Sequence, residues 1–154
     1  ILTFAFPSFQ GVINNNRVTT AVNELATSFA IARTEAIKAN STARVKAVNF
    51  GTTGNWRDGH SISLDTDGND TYDTDIRILG AVNDQITTYT DSTSTVIFNQ
   101  IGGLGKTLYP DSSSVVTFKL HAPKAYGRML YINMSGATSI CVNENTKLST
   151  TCSP

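Results

Sequence analysis

The sequence predicts an α+β fold in which a long N-terminal α-helix packs on antiparallel β-sheets. Two observations predict it. Apolar residues from Val18 onward recur at steps of three and four, which places them on one face of a helix. From Thr42 onward, short runs with β-branched residues alternate with turn residues, and a helix followed by strands is an α+β order. The 154 residues fit one domain with one core, comprising a helix (residues 1–40) and a β-rich head (residues 41–154).

The predicted helix covers residues 7–40, with no glycine or proline after Gly11. Polar residues flank the apolar stripe, so the helix is amphipathic, and we expect the stripe to form the core of the head. At about 1.5 Å per residue the helix would be about 45 Å long, so its N-terminal part should project from the head. It should end near Asn40, because asparagine readily adopts the left-handed capping conformation. The stripe comprises Val18, Val22, Leu25, Phe29, Ala32 and Ala36.

The first residues, ILTFAF, are almost wholly apolar and precede Pro7, where a kink or local unwinding is expected. Alone they are too short to span a bilayer, which takes about 20 apolar residues. They are either a buried helix end or the last turns of a membrane segment that continues upstream. We favour the second interpretation.

Turn signals rich in glycine, proline, asparagine and aspartate separate the predicted strands. No internal repeat is evident, and no linker is long enough to mark a second domain. The predicted strands cover residues 42–50, 61–65, 75–79, 85–89, 95–99, 115–121, 128–133 and 138–142.

The sequence has 12 basic and 12 acidic residues, so its formal net charge is zero. Net charge therefore gives no general attraction to nucleic acid or to an anionic membrane. The two cysteines, Cys141 and Cys152, flank a short polar segment that has few apolar residues to contribute to a core. We therefore predict a disulfide between them and an oxidising compartment. Such a bridge would contribute about 3 kcal/mol in the chain-entropy model. The alternative is a pair of unrelated reduced thiols.

An acidic segment, DTDGNDTYDTD at residues 65–75, places several carboxylates around a glycine. Calcium needs several oxygen ligands on a tight turn, so Asp65, Asp67, Asp70 and Asp73 are candidate ligands. The closing glutamate of an EF-hand is absent. A solvated hairpin turn is the favoured interpretation, because Asp, Asn and Gly are turn residues.

Signals for catalysis in the sequence are weak. The glycine-rich run at residues 102–107 would need a glycine at position 100 to be a phosphate loop, and Gln100 stands there. It would also need a following helix, which Pro110 opposes, so we predict a hairpin loop. His60 and His121 have no metal-type spacing, and no G-x-S-x-G is present. We predict no enzyme, no metal and no cofactor.

Motifs along most of the chain resemble those of the GspH/FimT family, the minor pseudopilins of type II secretion and minor pilins of type IV pili. Its members typically carry A-I-P-S-F at the end of the membrane helix and A-R-S-E-A-I-K later in that helix. The matching runs here are AFPSFQ at residues 5–10 and ARTEAIK at residues 32–38. Weaker matches are WRDG at 56–59, DTDGND at 65–70, IRIL at 76–79 and IFN at 97–99 with Gly102.

The resemblance implies a pilin-like fold and a filament subunit. Such a protein loses a leader, is held in the bacterial inner membrane by its single N-terminal helix with the head in the periplasm, and then joins a cell-surface pilus or a pseudopilus. The implied partners are other minor pilins or pseudopilins and the major pilin. The same helix spans lipid and later packs against sister helices. Arg33 and Glu35 are expected to orient the helix on the sheet or on a neighbouring subunit through ion pairing. The residues assigned to subunit packing are Phe9, Val18, Val22, Leu25 and Phe29.

DNA is a further partner that the resemblance raises, because some FimT-like proteins are DNA receptors with a G-R-x-R-type motif. The matching place here, residues 136–139, contains no arginine. Phosphate binding strengthens with each neutralised charge, and four candidates are few, so DNA is not favoured. Tyr126 and Tyr131 would stack bases or, as we favour, fill the sheet. The candidate basic residues are Lys119, Lys124, Arg128 and Lys147.

The choice between a type IV pilus and type II secretion does not follow from these motifs. The long polar C-terminal segment and its predicted disulfide favour the pilus. We therefore predict a structural minor pilin that takes part in initiation or tip assembly, with the pseudopilin and the DNA-binding minor pilin as alternatives.

Overall fold

The computed structural model describes residues 6–47, 56–82, 86–90, 95–105 and 115–143. One long helix, α1, is followed by strands, with a short 3₁₀ turn between the first and the second of them. Their order matches the α+β prediction. The elements are α1 (Phe6–Ala39), β1 (Thr42–Ala47), the 3₁₀ turn (Trp56–Asp58), β2 (His60–Asp65), β3 (Thr74–Leu79), β4 (Thr87–Thr90), β5 (Thr95–Phe98), β6 (Val115–His121), β7 (Gly127–Asn133) and β8 (Thr138–Asn143).

The helix ends where the sequence predicts. Asn40 adopts a left-handed conformation with φ of 49°. Its N–H donates to the carbonyl of Ile37 over 3.2 Å, and the N–H of Ser41 donates to the carbonyl of Ala36 over 3.1 Å. This pair of bonds is a Schellman motif, which satisfies carbonyls that the last helical turn leaves unpaired.

The beginning of α1 is described from Phe6, so Pro7 lies in its first turn. A proline is tolerated there because the first N–H groups of a helix have no intrahelical partner. The predicted kink concerns the junction with residues 1–5, which lie outside the described residues.

Each predicted strand segment overlaps an observed strand with slightly shifted boundaries, and the predicted continuation of β1 to residue 50 lies outside the described residues. The strands form two four-stranded antiparallel sheets. The first sheet has the order β3-β2-β1-β5 and the second has the order β4-β6-β7-β8. The chain thus enters the second sheet with β4, returns to the first with β5, and completes the second with β6 to β8. Sequence patterns did not indicate this exchange.

The core lies between the helix and the inner faces of both sheets. Phe29 of α1 is its centre, because its ring lies 6.3 Å from that of Phe98 in the first sheet and 5.1 Å from that of Phe118 in the second. Trp56 of the 3₁₀ turn packs edge-on against Phe118 with ring centroids 4.9 Å apart. The sequence stripe of α1 is buried here in full: Val18, Val22, Leu25, Phe29, Ala32 and Ala36.

Candidate subunit-interaction surfaces

The N-terminal part of α1 carries apolar side chains that the head does not cover. Phe9 is 67% exposed, Val12 is 56% exposed and Ile13 is 47% exposed. The next residue, Asn14, is buried, and its amide donates to the carbonyl of Pro123 over 2.8 Å. Phe9, Val12 and Ile13 lie on one face of α1, because Val12 and Ile13 follow Phe9 by three and four residues. Exposed apolar patches of this kind mark interaction surfaces.

The turn between β6 and β7 holds the helix where it leaves the head. Asn15 accepts the N–H of Tyr126 with its side-chain oxygen over 2.7 Å. A Cβ at Gly11 would lie 3.2 Å from the carbonyl oxygen of Lys124, so a small residue lets the turn approach the helix. These contacts fix the direction in which the apolar end of α1 projects.

The residues assigned to subunit packing from the sequence therefore separate into two groups. Phe9 lies on the exposed apolar face, whereas Val18, Val22, Leu25 and Phe29 are buried in the core of the same chain. Their assignment to a subunit interface is corrected by the fold, because the two sheets already cover them. Periodicity identifies an apolar face but does not identify what covers it. Val12 and Ile13, which sequence reasoning missed, belong with Phe9.

Two of the four candidate DNA-binding residues lie on opposite faces of the second sheet. Arg128 pairs across the strands with the buried Leu120, and its Nε and Nη2 donate to Oγ1 of Thr19 on α1 at 3.3 and 2.9 Å. Lys119 is the neighbour of Leu120 along β6, and successive side chains of a strand point to opposite faces. Arg128 therefore faces the helix and Lys119 faces away from it.

The other two candidates do not restore a single basic surface. Lys124 is exposed in the β6–β7 turn with φ of 58°, and Lys147 lies outside the described residues. Of the two tyrosines near them, Tyr126 is exposed and Tyr131 is partly buried in β7. A strip of phosphates lying on one face would not meet both Lys119 and Arg128.

In the acidic segment at residues 65–75, the carboxylate of Asp65 closes a turn. Asp65 is buried, and its carboxylate accepts the backbone N–H groups of Gly68 at 2.8 Å and Asp70 at 3.0 Å. Burial alone would raise the pKa of this carboxyl, but these donors, with Asp67 and Asn69, outweigh it and hold the pKa below its usual range. Among the described residues, no three His, Cys, Asp or Glu side chains group as metal ligands. The candidate calcium ligands Asp65, Asp67, Asp70 and Asp73 lie in this part of the chain and do not form such a group.

The glycine-rich run begins as a tight turn. Asn99 and Gly103 bond through their backbones over 2.8 Å, and Phe98 forms an isolated bridge with Leu104. The side-chain oxygen of Asn99 also accepts the N–H groups of Ile101 and Gly103. The described part of this run, up to Gly105, thus has the turn geometry that the sequence predicts.

The predicted ion pairing of the helix is only partly present. Glu35 pairs with Lys38 one turn along α1, with 2.8 Å between Nζ and Oε1, and both side chains are at the surface. Arg33 forms no ion pair with any residue in the described ranges. Exposed pairs of this kind contribute little to stability, so Glu35 does not anchor the helix on the sheets.

Two further observations concern the membrane and the cysteines. Within the described ranges, α1 included, no helix has the length and apolar character required to cross a membrane. Cys141 lies in β8 and is partly buried, whereas Cys152 falls outside the described residues. The pairing of the two cysteines stays a prediction.

The fold and its exposed surfaces together define a class. A long helix with an uncovered apolar end, packed on two antiparallel sheets, is the architecture of a pilin-like protein. The chain belongs to the GspH family, because the family model described as "Type II transport protein GspH" matches residues 21–138. No curated protein matches this chain.

Solved structures show the same fold. Two crystal structures of the type IV minor pilin FimU of Pseudomonas aeruginosa are similar to this chain, each at 20% sequence identity. The first, in space group P21, has a TM-score of 0.66 and covers 85% of this chain and 96% of FimU. The second, in space group P65, has a TM-score of 0.64 and covers 83% and 98%. The expected GspH/FimT membership and pilin-like fold are confirmed.

Proposed function

We propose that this chain is a structural minor pilin of a type IV pilus that takes part in initiation or tip assembly of the filament. The observation that carries the proposal is the exposed apolar face of Phe9, Val12 and Ile13 on the N-terminal part of α1. An uncovered apolar helix face is stabilised when it packs against the helices of neighbouring subunits. The partners would be other minor pilins and the major pilin. The role is structural rather than catalytic.

The minor pseudopilin of a type II secretion system is the second candidate. The description of the matching family model favours it, whereas the similarity to FimU concerns the fold. Both candidates need the same helix face, so geometry within one subunit does not separate them. The two candidates are separated by the phenotype of a deletion, because one predicts loss of pili and the other predicts loss of protein export.

The test is deletion of the gene in its host, followed by complementation with full-length protein. Surface pili, twitching motility and protein export are measured in the same strains. The proposal expects loss of pili and motility with normal export. Normal piliation with arrested export would replace the pilus by the secretion system.

The helix face is tested with two matched double variants. Val12→Glu with Ile13→Glu places charge on the apolar face and should not restore pili. Ile76→Glu with Ile78→Glu makes the same change on exposed positions of β3 and should restore them. Protein levels are compared by immunoblot. Restoration by both pairs would contradict the role of the helix face.

We also propose that Cys141 and Cys152 form a disulfide that closes the C-terminal loop, and that the N-terminal helix anchors the protein in the inner membrane before assembly. The loop is short and polar, so a covalent closure would compensate for its small core. Mass spectrometry of peptides from unreduced protein tests the bridge. Detection of both cysteines as free thiols in freshly isolated, alkylated protein would exclude it.

A further inference from the structure

The turn between β2 and β3 contains a run of residues that matches an acceptor for N-glycosylation. Such an acceptor reads N-x-[ST], where x is any residue except proline, and the sugar is attached to the asparagine amide of an exported protein. The chain contains three such runs, NST at residues 40–42, NDT at residues 69–71 and NMS at residues 133–135. The structure distinguishes them, because a transferase has to enclose the acceptor run and therefore needs it to be accessible.

The run that begins at Asn69 lies in a stretch of chain that is exposed along its whole length. Every residue from 66 to 71 is exposed. The backbone N–H groups of Gly68 and Asp70 donate to the carboxylate of Asp65 over 2.8 and 3.0 Å. These bonds lie within the turn, so the run can enter the cleft of an enzyme without breaking a pairing between strands.

Both ends of this exposed stretch are anchored to the head. At one end, the hydroxyl of Ser41 donates to the carbonyl of Asp65. At the other end, the ring centroid of Tyr72 lies 4.4 Å from Cζ of Arg44 in a cation–π contact. Residues 66–71 therefore form a short surface loop with fixed ends, which presents the acceptor run to solvent.

The amide of Asn69 is held by two hydrogen bonds within the loop. Its Nδ2 donates to a carboxylate oxygen of Asp67 over 2.7 Å, and its Oδ1 accepts the N–H of Thr71 over 2.6 Å. A negative charge thus lies beside the nitrogen that would carry the sugar. Among the three runs, this one alone has an acidic residue two positions before the asparagine, because Lys38 and Tyr131 occupy that position in the others.

The other two runs are part of contacts between elements of the fold. Asn40 has the left-handed conformation that ends α1, and Thr42 of the same run pairs with Asp65 in the first sheet. Asn133 is the last residue of β7, and the carbonyl of the next residue accepts the N–H of Leu104 over 3.0 Å. A transferase would have to break these contacts before it could enclose either run.

We propose that Asn69 is an N-glycosylation site, modified in the periplasm by a transferase that uses a lipid-linked oligosaccharide. Nδ2 of Asn69 attacks C1 of the first sugar, which is bound through oxygen to a polyprenyl diphosphate. The Nδ2–C1 bond forms, the C1–O bond breaks, and its electron pair leaves with the polyprenyl diphosphate. The amide proton passes to a base of the transferase. The inference rests on the proposed function only for the periplasmic location of the head, which the pilin and the pseudopilin share.

A glycan at Asn69 is compatible with packing of the apolar helix face. The loop begins beside Ser41 at the C-terminal end of α1. This end is about 45 Å along the helix from Phe9 at 1.5 Å per residue. The glycan would therefore enlarge the polar surface at one end of the head and leave the face of Phe9, Val12 and Ile13 uncovered.

The test is mass spectrometry of the full-length protein isolated from its host. Peptides are fragmented by electron transfer, which leaves a sugar on the residue that carries it. The proposal expects an oligosaccharide on Asn69 and none on Asn40 or Asn133. An unmodified Asn69, or a glycan on Thr71 in place of Asn69, would overturn it.

Matched variants test what the transferase recognises. Asn69→Gln and Thr71→Ala should each abolish the modification, because the amide and the hydroxyl define the acceptor run. Asp67→Asn should lower the modified fraction by about tenfold, since one hydrogen bond to a charged group contributes at least this factor. Asp67→Glu should retain the modification.

Asp70→Asn is the control for charge, because it removes the neighbouring carboxylate and keeps the acceptor run intact. The modified fraction of this variant should equal that of the unaltered protein. Equal losses in Asp67→Asn and Asp70→Asn would overturn the role of Asp67. All substituted positions are exposed, and circular dichroism of each variant confirms that the fold is unchanged.

The outcomes separate this inference from the proposed function. An unmodified Asn69, in a host where deletion of the gene abolishes pili, would overturn the glycosylation site and leave the pilus role in place. A glycan on Asn69, in a host where deletion stops export but not piliation, would support the site and replace the pilus by the secretion system.

Discussion

His60 in β2 and Ser28 in the middle of α1 form a buried hydrogen bond, with 2.8 Å between Nε2 and Oγ. The hydroxyl of Ser28 itself donates to the carbonyl of Glu24 over 2.9 Å, so the serine oxygen accepts from His60. In this arrangement Nε2 of His60 carries a proton. Burial, reinforced by the positive charge of Arg77, lowers the pKa of His60 from 6.5 to about 4.

The lowered pKa of His60 makes stability pH-dependent. The unfolded chain takes up a proton at His60 below about pH 6.5, and the folded chain takes it up only near pH 4. Stability is thus full above pH 6.5 and falls as the pH drops towards 4, by about 3 kcal/mol at about 1.4 kcal/mol per pKa unit. Urea unfolding between pH 4.5 and 7.5 measures the slope.

The His60→Phe variant is the control for that slope. Phenylalanine fills the site, and Ser28 keeps its bond to Glu24, so the dependence between pH 4.5 and 6.5 should flatten. Asp65 does not interfere, because its lowered pKa makes its contribution disappear only as the pH falls through the acid range below about 4. An unchanged slope in the variant would show that other groups titrate in this range.

Phe29 should be the most costly residue of α1 to truncate. Its ring contacts aromatic rings of both sheets, so Phe29→Ala should lower the free energy of unfolding by about 3 to 5 kcal/mol. Phe9→Ala, the same change on the exposed end of the same helix, should stay within about 0.5 kcal/mol. Denaturant unfolding compares the two. Similar losses for both variants would mean that Phe9 is covered in the isolated chain.

The turns at Gly102 and Gly136 lie against each other, which predicts a difference between two glycine substitutions. Gly136 and Gly68 both have left-handed φ, at 77° and 73°. A Cβ at Gly68 meets nothing within 4 Å, whereas at Gly136 it would lie 2.0 Å from a backbone oxygen. Gly68→Ala should therefore cost about 1 kcal/mol from conformation alone, and Gly136→Ala should cost clearly more. Thermal unfolding measures both, and equal shifts would argue against the close contact of the turns.

DNA binding should be weak because Lys119 and Arg128 lie on opposite faces of the second sheet. We expect no dissociation constant tighter than about 0.1 mM at physiological salt, the weak end of non-specific binding. A salt series with double-stranded DNA measures it. Micromolar binding that falls steeply with salt, and is lost when Lys124→Ala is combined with Arg128→Ala, would favour the DNA-binding alternative.

Much of the candidate site could not be predicted from the sequence, because a local pattern does not show which other residues cover or bind a side chain. The helical period identified the stripe from Val18, and the resemblance pointed to Phe9, but a helical period by itself does not tell a face buried by sheets from a face left for other subunits. The acidic spacing allowed both a hairpin turn, which we favoured, and a set of calcium ligands, and in the structure Asp65 accepts N–H groups of its own turn. Local patterns report what residues are able to do and do not reveal competition among partners.

The sequence by itself determined the helix, its end at Asn40, the strand segments and the family, because each depends on short-range periodicity, turn chemistry or motifs. Only the tertiary structure decided that β4 and β5 exchange sheets, that Val12 and Ile13 stay uncovered, and that Arg33 has no partner within the described residues. These features depend on contacts between residues far apart in the chain. Long-range packing selects among arrangements that local patterns allow equally.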